Sequence, residues 1–489
     1  MLNLLRLGLL SQSLFQDVPL GSTDASRPSS KASIPTRQLN GSFCPAHTAQ
    51  HTGSIGLDHG KDLFYWFFES ATNPSDDPLI VWLTGGPGVA STFAALTEIG
   101  PCLITEDGSS THHNPHHNPH HWARTANLLI LEYNTPPLPF PFLSFPFHSL
   151  ENTHAAFQTS QPAGVGWSLA ATDPTHAVTT LEQATEDFID FMHLFVTHRY
   201  PSLSKKTLHI AGESYGGRWA PAFMHRLYQL AQDKSTRSLP NRLGSIILVN
   251  AVVGTLGGHL STATYEFGCT DESVAAKLGF RFNETVCSSI QELAPGCEEN
   301  ARWCEATRNK VICLAASQAC VEISSLVEYG DRSLYNACKG WFDQAEVKEA
   351  LGVRGSTWMG MNYGMEEDFN ESGATTQSVG SAVSDLLDSG SVRVLVLTGD
   401  LDALVPTAGQ IRVFDELAWR GQVGYRYQKW KDGEIQSDDG VSRGRVKYSG
   451  PLAFVTFESA GHMVPGDDPA GAAAVLDQWL GEAQQGVWG

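Results

Sequence analysis

Short runs of apolar residues recur along the chain from residue 79 onward, many of them rich in leucine and β-branched residues. Continuous runs of this length, without alternating polar positions, are typical of strands buried on both faces of a sheet. The runs predict six strands: Leu79–Leu83, Asn127–Leu131, Thr207–Ala211, Ser245–Val249, Val392–Leu397 and Leu452–Phe457.

Between several of these runs, apolar residues recur with the period of a helix. The amphipathic segments are Leu181–Thr197, Trp219–Gln232, Gln410–Trp419 and Ala470–Leu480. A chain that alternates strand and helix in this way predicts the α/β class, with a mostly parallel central sheet covered by helices.

Segments that lack this alternation indicate the domain organisation. Residues 1–40 start with a short apolar stretch that resembles a weak signal peptide and continue rich in Ser, Pro and Thr, so we interpret them as a leader. We expect residues 41–489 to form one folded domain. Within it, residues 256–350 show no strand pattern and are predicted to form a cysteine-rich insertion over the sheet.

The composition excludes two classes of protein. The chain has 52 acidic and 32 basic residues, and a formal net charge of -20 would repel a phosphate backbone. Nucleic acid is therefore not an expected partner. No run of 18 or more apolar residues occurs, so no membrane-spanning helix is expected either.

The nine cysteines favour an oxidising compartment. Seven lie between Cys269 and Cys338, and their spacing lacks the paired two-residue gaps of zinc ribbons, so we predict a local disulfide cluster, with the odd cysteine either left over as a thiol or paired elsewhere. Three sequons agree with passage through the secretory pathway and predict glycosylation. They begin at Asn40, Asn283 and Asn370.

A histidine-rich stretch, His112–Trp122, raises the question of a metal site because it contains six histidines. Its Asn-Pro pairs would break any helix that presented several ligands on one face. We predict a solvated turn there, and no metal.

The strongest chemical signal is GESYGGRWAP, Gly212–Pro221, which follows one predicted strand and precedes a predicted helix. In that context the pattern G-x-S-x-G forms a sharp turn that presents the serine hydroxyl above the edge of the sheet. We therefore predict that Ser214 is a nucleophile.

A serine hydroxyl needs a base and an orienting acid, which in this kind of fold follow in the order Ser, Asp, His. Asp402 lies in LTGDLDALVP and His462 in FESAGHMVPGDDP, each just after a predicted strand. Asp400 is the alternative acid, and its other role would be to accept backbone bonds in the same turn. We favour Asp402 because the acid usually precedes an apolar-apolar-Pro stretch.

The negative oxygen that forms during acyl transfer needs backbone N–H donors. One should come from Tyr215, directly after the nucleophile. The other should come from the glycine-rich loop WLTGGPG, Trp82–Gly88, with Gly86 as the donor.

In order and spacing, WLTGGPG, GESYGG, GDLDALVP and AGHMVPGDDP resemble the four signatures of the serine carboxypeptidase family, the α/β-hydrolase peptidases similar to carboxypeptidase Y. The resemblance implies an α/β-hydrolase fold and release of C-terminal residues from peptides and proteins through an acyl-enzyme at acidic pH. It also implies no metal or organic cofactor, and a secreted, vacuolar or lysosomal location.

The resemblance further implies a site for the substrate's terminal carboxylate. It assigns this role to Glu213, Glu98, Trp82 and Thr84, with the two glutamates sharing a proton because two adjacent carboxyls cannot both ionise. Thr84 departs from the family's asparagine, and its shorter side chain is expected to cost about 1 to 3 kcal/mol of substrate binding. Val89 and Ala90 replace a cysteine and a serine, so the family disulfide cannot form there.

Residues 133–160 interrupt the family pattern, and their removal leaves the uninterrupted reading LLILEQPAGVGWS. A compact domain rarely contains so long a loop without secondary structure. We hypothesise that the segment is an intron retained in the gene model. Two other functions stay open at this point, because a fold does not determine a reaction: an acyltransferase or esterase of the same family, and a non-catalytic binding or protective protein.

Overall fold

The computed structural model describes residues 34–39, 43–44, 48–104, 115–132, 165–169, 176–254, 259–270, 272–279, 281–307, 309–327, 332–435, 437, 441 and 443–485. The predicted insertion at 133–160, most of the predicted leader and the sequon at Asn40 lie outside the described residues.

An eleven-stranded sheet runs through the described part of the chain, in the order β1-β2-β3-β7-β4-β8-β9-β10-β13-β12-β11. Its strands are β1 (Arg37–Gln38), β2 (Gln50–Gly56), β3 (Asp62–Phe68), β4 (Leu79–Leu83), β7 (Asn127–Leu131), β8 (Thr207–Glu213), β9 (Arg242–Val249), β10 (Arg393–Gly399), β11 (Lys431–Asp432), β12 (Arg445–Ser449) and β13 (Leu452–Phe457). A separate two-stranded ribbon pairs β5 (Cys102–Leu103) with β6 (His116–His117).

The six strands at the centre of the sheet, β7, β4, β8, β9, β10 and β13, are parallel to one another, while the outer strands pair antiparallel. These six are the strands that the apolar runs predicted. Their residues are almost fully buried, as expected for strands covered on both faces.

Helices flank the sheet. They are α1 (Ser91–Thr97), α2 (Leu181–Leu194), α3 (Gly216–Gln232), α4 (Ser261–Gly268), α5 (Val274–Lys277), α6 (Glu284–Thr307), α7 (Lys310–Leu326), α8 (Arg332–Phe342), α9 (Ala345–Leu351), α10 (Tyr363–Glu371), α11 (Gly380–Ser389), α12 (Thr407–Glu416), α13 (Gln422–Arg426), α14 (Val464–Asp467) and α15 (Pro469–Gln485). The four amphipathic segments correspond to α2, α3, α12 and α15, and the predicted α/β class with a mostly parallel sheet is confirmed.

The described residues between 259 and 351 form helices α4 to α9 and no strand. Helices α6 and α7 make an antiparallel hairpin that two disulfides join, Cys297–Cys320 and Cys304–Cys313, and a third, Cys269–Cys287, joins the start of this region to α6. With Cys44–Cys102, eight cysteines are paired and Cys338 is a buried thiol. The prediction of a disulfide cluster is confirmed, and of the two alternatives for the odd cysteine the structure shows the unpaired thiol.

Candidate active site

Ser214 lies in the turn between β8 and α3. Its φ of 56° is in the left-handed region, a strained conformation for a serine that is typical of this kind of turn. The flanking glycines make the turn sterically feasible, because a β-carbon at Gly212 would lie 2.1 Å from the Gly216 oxygen. The Ser214 N–H donates to the Val249 carbonyl at 3.0 Å, which fixes the turn to the end of β9.

Asp402 follows β10 and His462 follows β13, two adjacent parallel strands. Their side chains meet in a hydrogen bond of 2.7 Å between His462 Nδ1 and Asp402 Oδ2. Ser214, after β8, lies at the same edge of the sheet, since the carboxyl ends of parallel strands share one edge. Asp400, the alternative acid, lies instead beside Thr407, and burial raises the pKa of its carboxyl above the ordinary value.

The carboxylate of Asp402 is buried and fully hydrogen-bonded. Oδ1 accepts the N–H groups of Leu404 (2.8 Å) and Val405 (3.1 Å), and Oδ2 also accepts from Asn250 Nδ2 at 2.6 Å. Burial by itself would raise the pKa of this carboxyl, but the facing His462 and these donors outweigh it and lower the pKa below its ordinary value. Asp402 is therefore ionised and held in one orientation.

The imidazole of His462 is largely buried, with its side chain 10% exposed. Burial lowers its pKa, while the charges of Asp402, Glu213 and Asp467 raise it, and the net pKa is above the ordinary value. Because Nδ1 is bonded to Asp402, Nε2 is the nitrogen that remains for a reacting group.

The loop Trp82–Gly88 lies directly against the turn that carries Ser214. A β-carbon at Gly85 would lie 2.5 Å from the Tyr215 nitrogen and 2.7 Å from the Ser214 β-carbon, so only glycine fits there. Gly86 precedes a cis peptide to Pro87 and has a φ of 108°. Among the described residues, the backbone N–H groups of Gly86 and Tyr215 have no protein acceptor.

Hydrogen bonds take the place of the family disulfide in holding this loop. The Val89 N–H donates to the Gly85 carbonyl at 3.1 Å, and the Ala90 N–H donates to the Gly360 carbonyl at 2.9 Å. Val89 also pairs antiparallel with Met361. The loop is therefore tied to the chain segment that leads into α10.

Two buried glutamates, Glu98 and Glu213, lie beside the catalytic candidates, and their carboxyls are close enough to influence each other's ionisation. Glu98 ends α1 and Glu213 ends β8. Burial raises the pKa of each carboxyl above its ordinary value, and the Glu213 charge raises that of Glu98 further. The arrangement favours one shared proton over two charges.

Thr84 lies under the indole of Trp82. The Trp82 Nε1–H donates to Thr84 Oγ1 at 2.8 Å, and both side chains are buried. The Thr84 N–H donates to Ser91 Oγ at 3.1 Å. These bonds fix the threonine hydroxyl at the base of the glycine-rich loop.

Two side chains in this region were missed by the sequence patterns: Asn250 and Glu132. Asn250 follows β9 with a positive φ of 42° and binds Asp402. Glu132 accepts the backbone N–H groups of Ser91 and Thr92, at the start of α1. Each of these contacts joins elements far apart in sequence. The only available signal was a polar residue directly after a predicted strand.

The remaining predicted sites lie away from this edge. Asn283 is exposed and accepts the Val286 N–H at the start of α6, while Asn370 is half-buried and its Oδ1 accepts from Ser317. Among the described residues, no cluster of three or more His, Cys, Asp or Glu side chains has the geometry of a metal site. No helix in the described part is long and apolar enough to span a bilayer.

Comparison with known protein families gives one match that covers most of the chain. The model of the family described as serine carboxypeptidase matches residues 41–135 and 157–482. The match is interrupted inside the segment that the sequence pattern singled out as an insertion.

Curated relatives and solved structures agree with this match. Carboxypeptidase Y homolog A of Sclerotinia sclerotiorum is 28% identical over 445 residues, which cover 87% of this chain and 71% of the relative. The protein of the same name from Aspergillus oryzae is 27% identical over 455 residues, with coverages of 88% and 74%. The crystal structure of Kex1(delta)p, a prohormone-processing carboxypeptidase from Saccharomyces cerevisiae, superposes with a TM-score of 0.67 at 19% identity, covering 90% of this chain and 95% of that one.

Proposed function

The chain belongs to the serine carboxypeptidase family, and we propose that Ser214, His462 and Asp402 form the triad with which it hydrolyses peptides. The observation that carries the assignment is the 2.7 Å bond between His462 and Asp402 at the sheet edge where the strained Ser214 turn lies. In this mechanism His462 Nε2 takes the Ser214 proton as the oxygen attacks the last peptide carbonyl. Asp402 holds the imidazole and stabilises its charged form.

The tetrahedral intermediate carries a negative oxygen, which we assign to the N–H groups of Gly86 and Tyr215. Tyr215 directly follows Ser214, and Gly86 follows Gly85, which packs against the Ser214 turn; neither N–H donates to a protein acceptor in the described part of the chain. Donors fixed before the reaction stabilise the developing charge without reorganisation. Collapse of the intermediate passes the proton from His462 to the leaving amine. Water then hydrolyses the acyl-enzyme by the same route.

The residues that select a C-terminus are, in this proposal, Glu213, Glu98, Thr84 and Trp82. The glutamate pair retains a proton because both carboxyls are buried beside each other. A protonated carboxyl donates a hydrogen bond to the substrate's terminal carboxylate, whereas an ionised pair repels it. The substrates are therefore peptides and proteins with a free C-terminus.

This pair also links activity to acidic pH. Ionised Glu213 is one of the charges that raise the pKa of His462. Where the shared proton lies on Glu213, that contribution is absent, and His462 stays unprotonated to lower pH. Protonation of the glutamate pair therefore favours substrate binding and also keeps His462 available as an unprotonated base.

The disulfides and the sequons support a location reached through the secretory pathway, either secreted or vacuolar and lysosomal. Of the two described sequons, Asn283 is the more exposed and is the site we expect to be glycosylated. Glycosidase treatment should lower the mass of the wild-type protein, and this loss of mass should be absent in Asn283→Gln.

The experiment that tests the function compares a blocked peptide with a free C-terminus and the same peptide as its C-terminal amide. We expect hydrolysis of the free acid only, and a fall in kcat of about 10⁴-fold or more in Ser214→Ala, because removing a triad member disables the whole unit. Equal turnover of the amide would contradict the selectivity for a C-terminus and favour an esterase or acyltransferase. Failure of folded protein to react with an organophosphonate would favour a non-catalytic protein.

The glutamate pair gives a separate pH prediction. In the wild type, KM for the free acid should rise with pH, by about tenfold per unit once the pair ionises. In Glu98→Gln/Glu213→Gln neither side chain titrates and both can donate through an amide, so KM should lose this rise. If KM of the double variant still rose with pH at the wild-type slope, the glutamate pair would not be the carboxylate site.

A further inference from the structure

Asp467 lies at the end of α14 and folds back onto the residue before the catalytic histidine. Its Oδ2 accepts the Gly461 N–H at 2.7 Å, which closes the segment 461–467 into a small ring. Gly461 allows this approach, because a β-carbon there would lie 3.2 Å from the same oxygen. His462 follows directly, so the bond restricts the backbone that sets the direction of the imidazole.

The same segment packs on the end of α1, where the carboxylate-binding pair begins. A β-carbon at Gly466 would lie 3.1 Å from the Thr97 carbonyl oxygen and 3.3 Å from Glu98 Cγ. The segment 461–467 therefore contacts both parts of the site, the base through His462 and the carboxylate pair through Glu98.

Asp467 also places a negative charge beside His462 and the glutamate pair. The charged groups that it faces are Asp402 and His462, and it acts in turn on Glu98 and Glu213. The next residue, Asp468, is turned to Arg443 (2.9 Å) and to the Gly471 N–H. Three carboxyls, those of Asp402, Glu213 and Asp467, thus act on the imidazole of His462, and Asp467, partly exposed at the rim, is the one with no role in the proposed mechanism.

We propose that Asp467 is a positioning residue of the peptidase reaction, which holds the His462 loop through Gly461 and, by its charge, sets the pH range in which the base and the glutamate pair operate. The inference rests on the proposed function, because it takes His462 as the base and Glu98 and Glu213 as the carboxylate site.

The direction of the charge effect follows from the contacts. The negative charge of Asp467 raises the pKa of His462 and those of Glu98 and Glu213. Its removal lowers all three. The acid limb of kcat/KM, where His462 becomes protonated, therefore moves to lower pH. The limb at higher pH, where the glutamate pair ionises and KM rises, moves to lower pH as well.

Asp467→Asn separates the two roles of the side chain. The asparagine oxygen still accepts the Gly461 N–H, so the loop is kept while the charge is lost. We expect the maximal kcat/KM to stay within about threefold and both limbs to move down by about half a pH unit, since a partly exposed charge is screened. Asp467→Glu keeps the charge and disturbs the loop. It should leave the limbs in place and lower kcat.

The acid limb is best measured by the rate at which an organophosphonate labels Ser214, because labelling needs the base but no peptide substrate. The matched control is Glu458→Gln, an exposed carboxyl one residue after β13, whose profile should superpose on the wild type. Limbs that do not move in Asp467→Asn, or that move in Asp467→Glu, would overturn the inference. Wild-type protein that does not label at all would instead contradict the triad itself.

Discussion

In the proposed carboxylate site, Thr84 replaces the family's asparagine but still offers a hydrogen-bonding group. The hydroxyl accepts the Trp82 indole N–H, so its own hydrogen points away from the indole and is available to a carboxylate. A family asparagine would offer an amide from the same place, with a longer reach. In our proposal, Trp82 thus orients the Thr84 hydroxyl so that it can donate a hydrogen bond to the substrate carboxylate.

The prediction at this residue concerns substrate affinity. Thr84→Val removes the donor and should raise KM for a free-acid peptide by about tenfold, the usual effect of losing a hydrogen bond to a charged group. Thr84→Ser keeps the hydroxyl and should stay near the wild-type KM. Steady-state kinetics with a blocked ester that lacks the carboxylate provides the control, because its KM should not change in either variant. A large change in the ester KM would show that Thr84 acts on the fold of the loop rather than on the carboxylate.

Sequence patterns predicted the candidate site residues that lie in a recognisable motif. They missed residues whose contacts depend on how separate elements pack together. Ser214, Asp402 and His462 each follow a predicted strand within a recognisable motif. Asn250 carries no such motif, and its bond to Asp402 links positions 152 residues apart. Asp467 lies inside a known motif, but its bond to Gly461 depends on how α14 turns back.

At the scale of elements, the apolar pattern predicted the six parallel strands at the centre of the sheet but missed β3, although its sequence DLFYWFF is fully buried. Strand β2 was not predicted, although it is almost fully buried, because polar side chains interrupt its sequence QHTGSIG. Tertiary partners satisfy these side chains: Gln50 donates to the Cys44 carbonyl, Thr52 to the Leu351 carbonyl, and Ser54 Oγ accepts the Ile34 N–H. A burial pattern that depends on distant partners is not visible in a single sequence.

Glu132 connects strand β7 to helix α1 and makes their contact sensitive to pH. Its two oxygens accept the N–H groups of Ser91 and Thr92, at 3.0 and 3.1 Å. Burial raises the pKa of Glu132 to about 7, against the opposing effect of these bonds. Since α1 starts beside the glycine-rich loop and ends at Glu98, the carboxyl supports both parts of the site.

The prediction for this element is a pH-dependent stability. A carboxyl with a raised pKa in the folded state stabilises it below its unfolded pKa, and the contribution is lost as pH rises through about 7. The Tm of the wild type relative to that of Glu132→Gln should therefore be highest at pH 5, and this gap should narrow by pH 8. The shift corresponds to at most about 3 kcal/mol. Exposed Glu346, in the first turn of α9, supplies the control variant Glu346→Gln. A gap that stays constant or widens with pH would contradict the prediction.

At the scale of the whole molecule, the helical region α4 to α9 is connected through α10 to the glycine-rich loop Trp82–Gly88. Ser317 on α7 donates to Asn370 on α10 at 2.9 Å, and the Asn362 N–H, just before α10, donates to the Gly88 carbonyl at 2.8 Å. We propose that residues 256–350 act as a cap that shapes the cleft within a catalytic domain spanning 41–489. The two disulfides between α6 and α7 would keep that cap rigid.

The residues on either side of 133–160 lie close together in the fold, which is why we expect this segment to be dispensable. Ser168 Oγ donates to the Glu132 carbonyl at 3.0 Å and accepts the Phe64 N–H. A β-carbon at Gly166 would lie 2.3 Å from the Glu132 carboxyl carbon. The two ends of the connection therefore meet in the fold, and the five residues 161–165 can join them.

Deleting residues 133–160 should therefore give a folded protein that labels with an organophosphonate at the wild-type rate or faster. Shortening the connection from 33 to 5 residues lowers the entropy cost of closing it, which favours the folded state by about 1.5 kcal/mol, so Tm should stay equal or rise. A smaller deletion of residues 136–156, the stretch that the family match omits, is the companion variant and should behave alike. Loss of folding in both deletions would show that the segment belongs to the domain. Sequencing the transcript across Glu132 and Gln161 checks the origin independently: a spliced message that still encodes all 28 residues would refute the retained intron, because the segment would then be part of the translated protein.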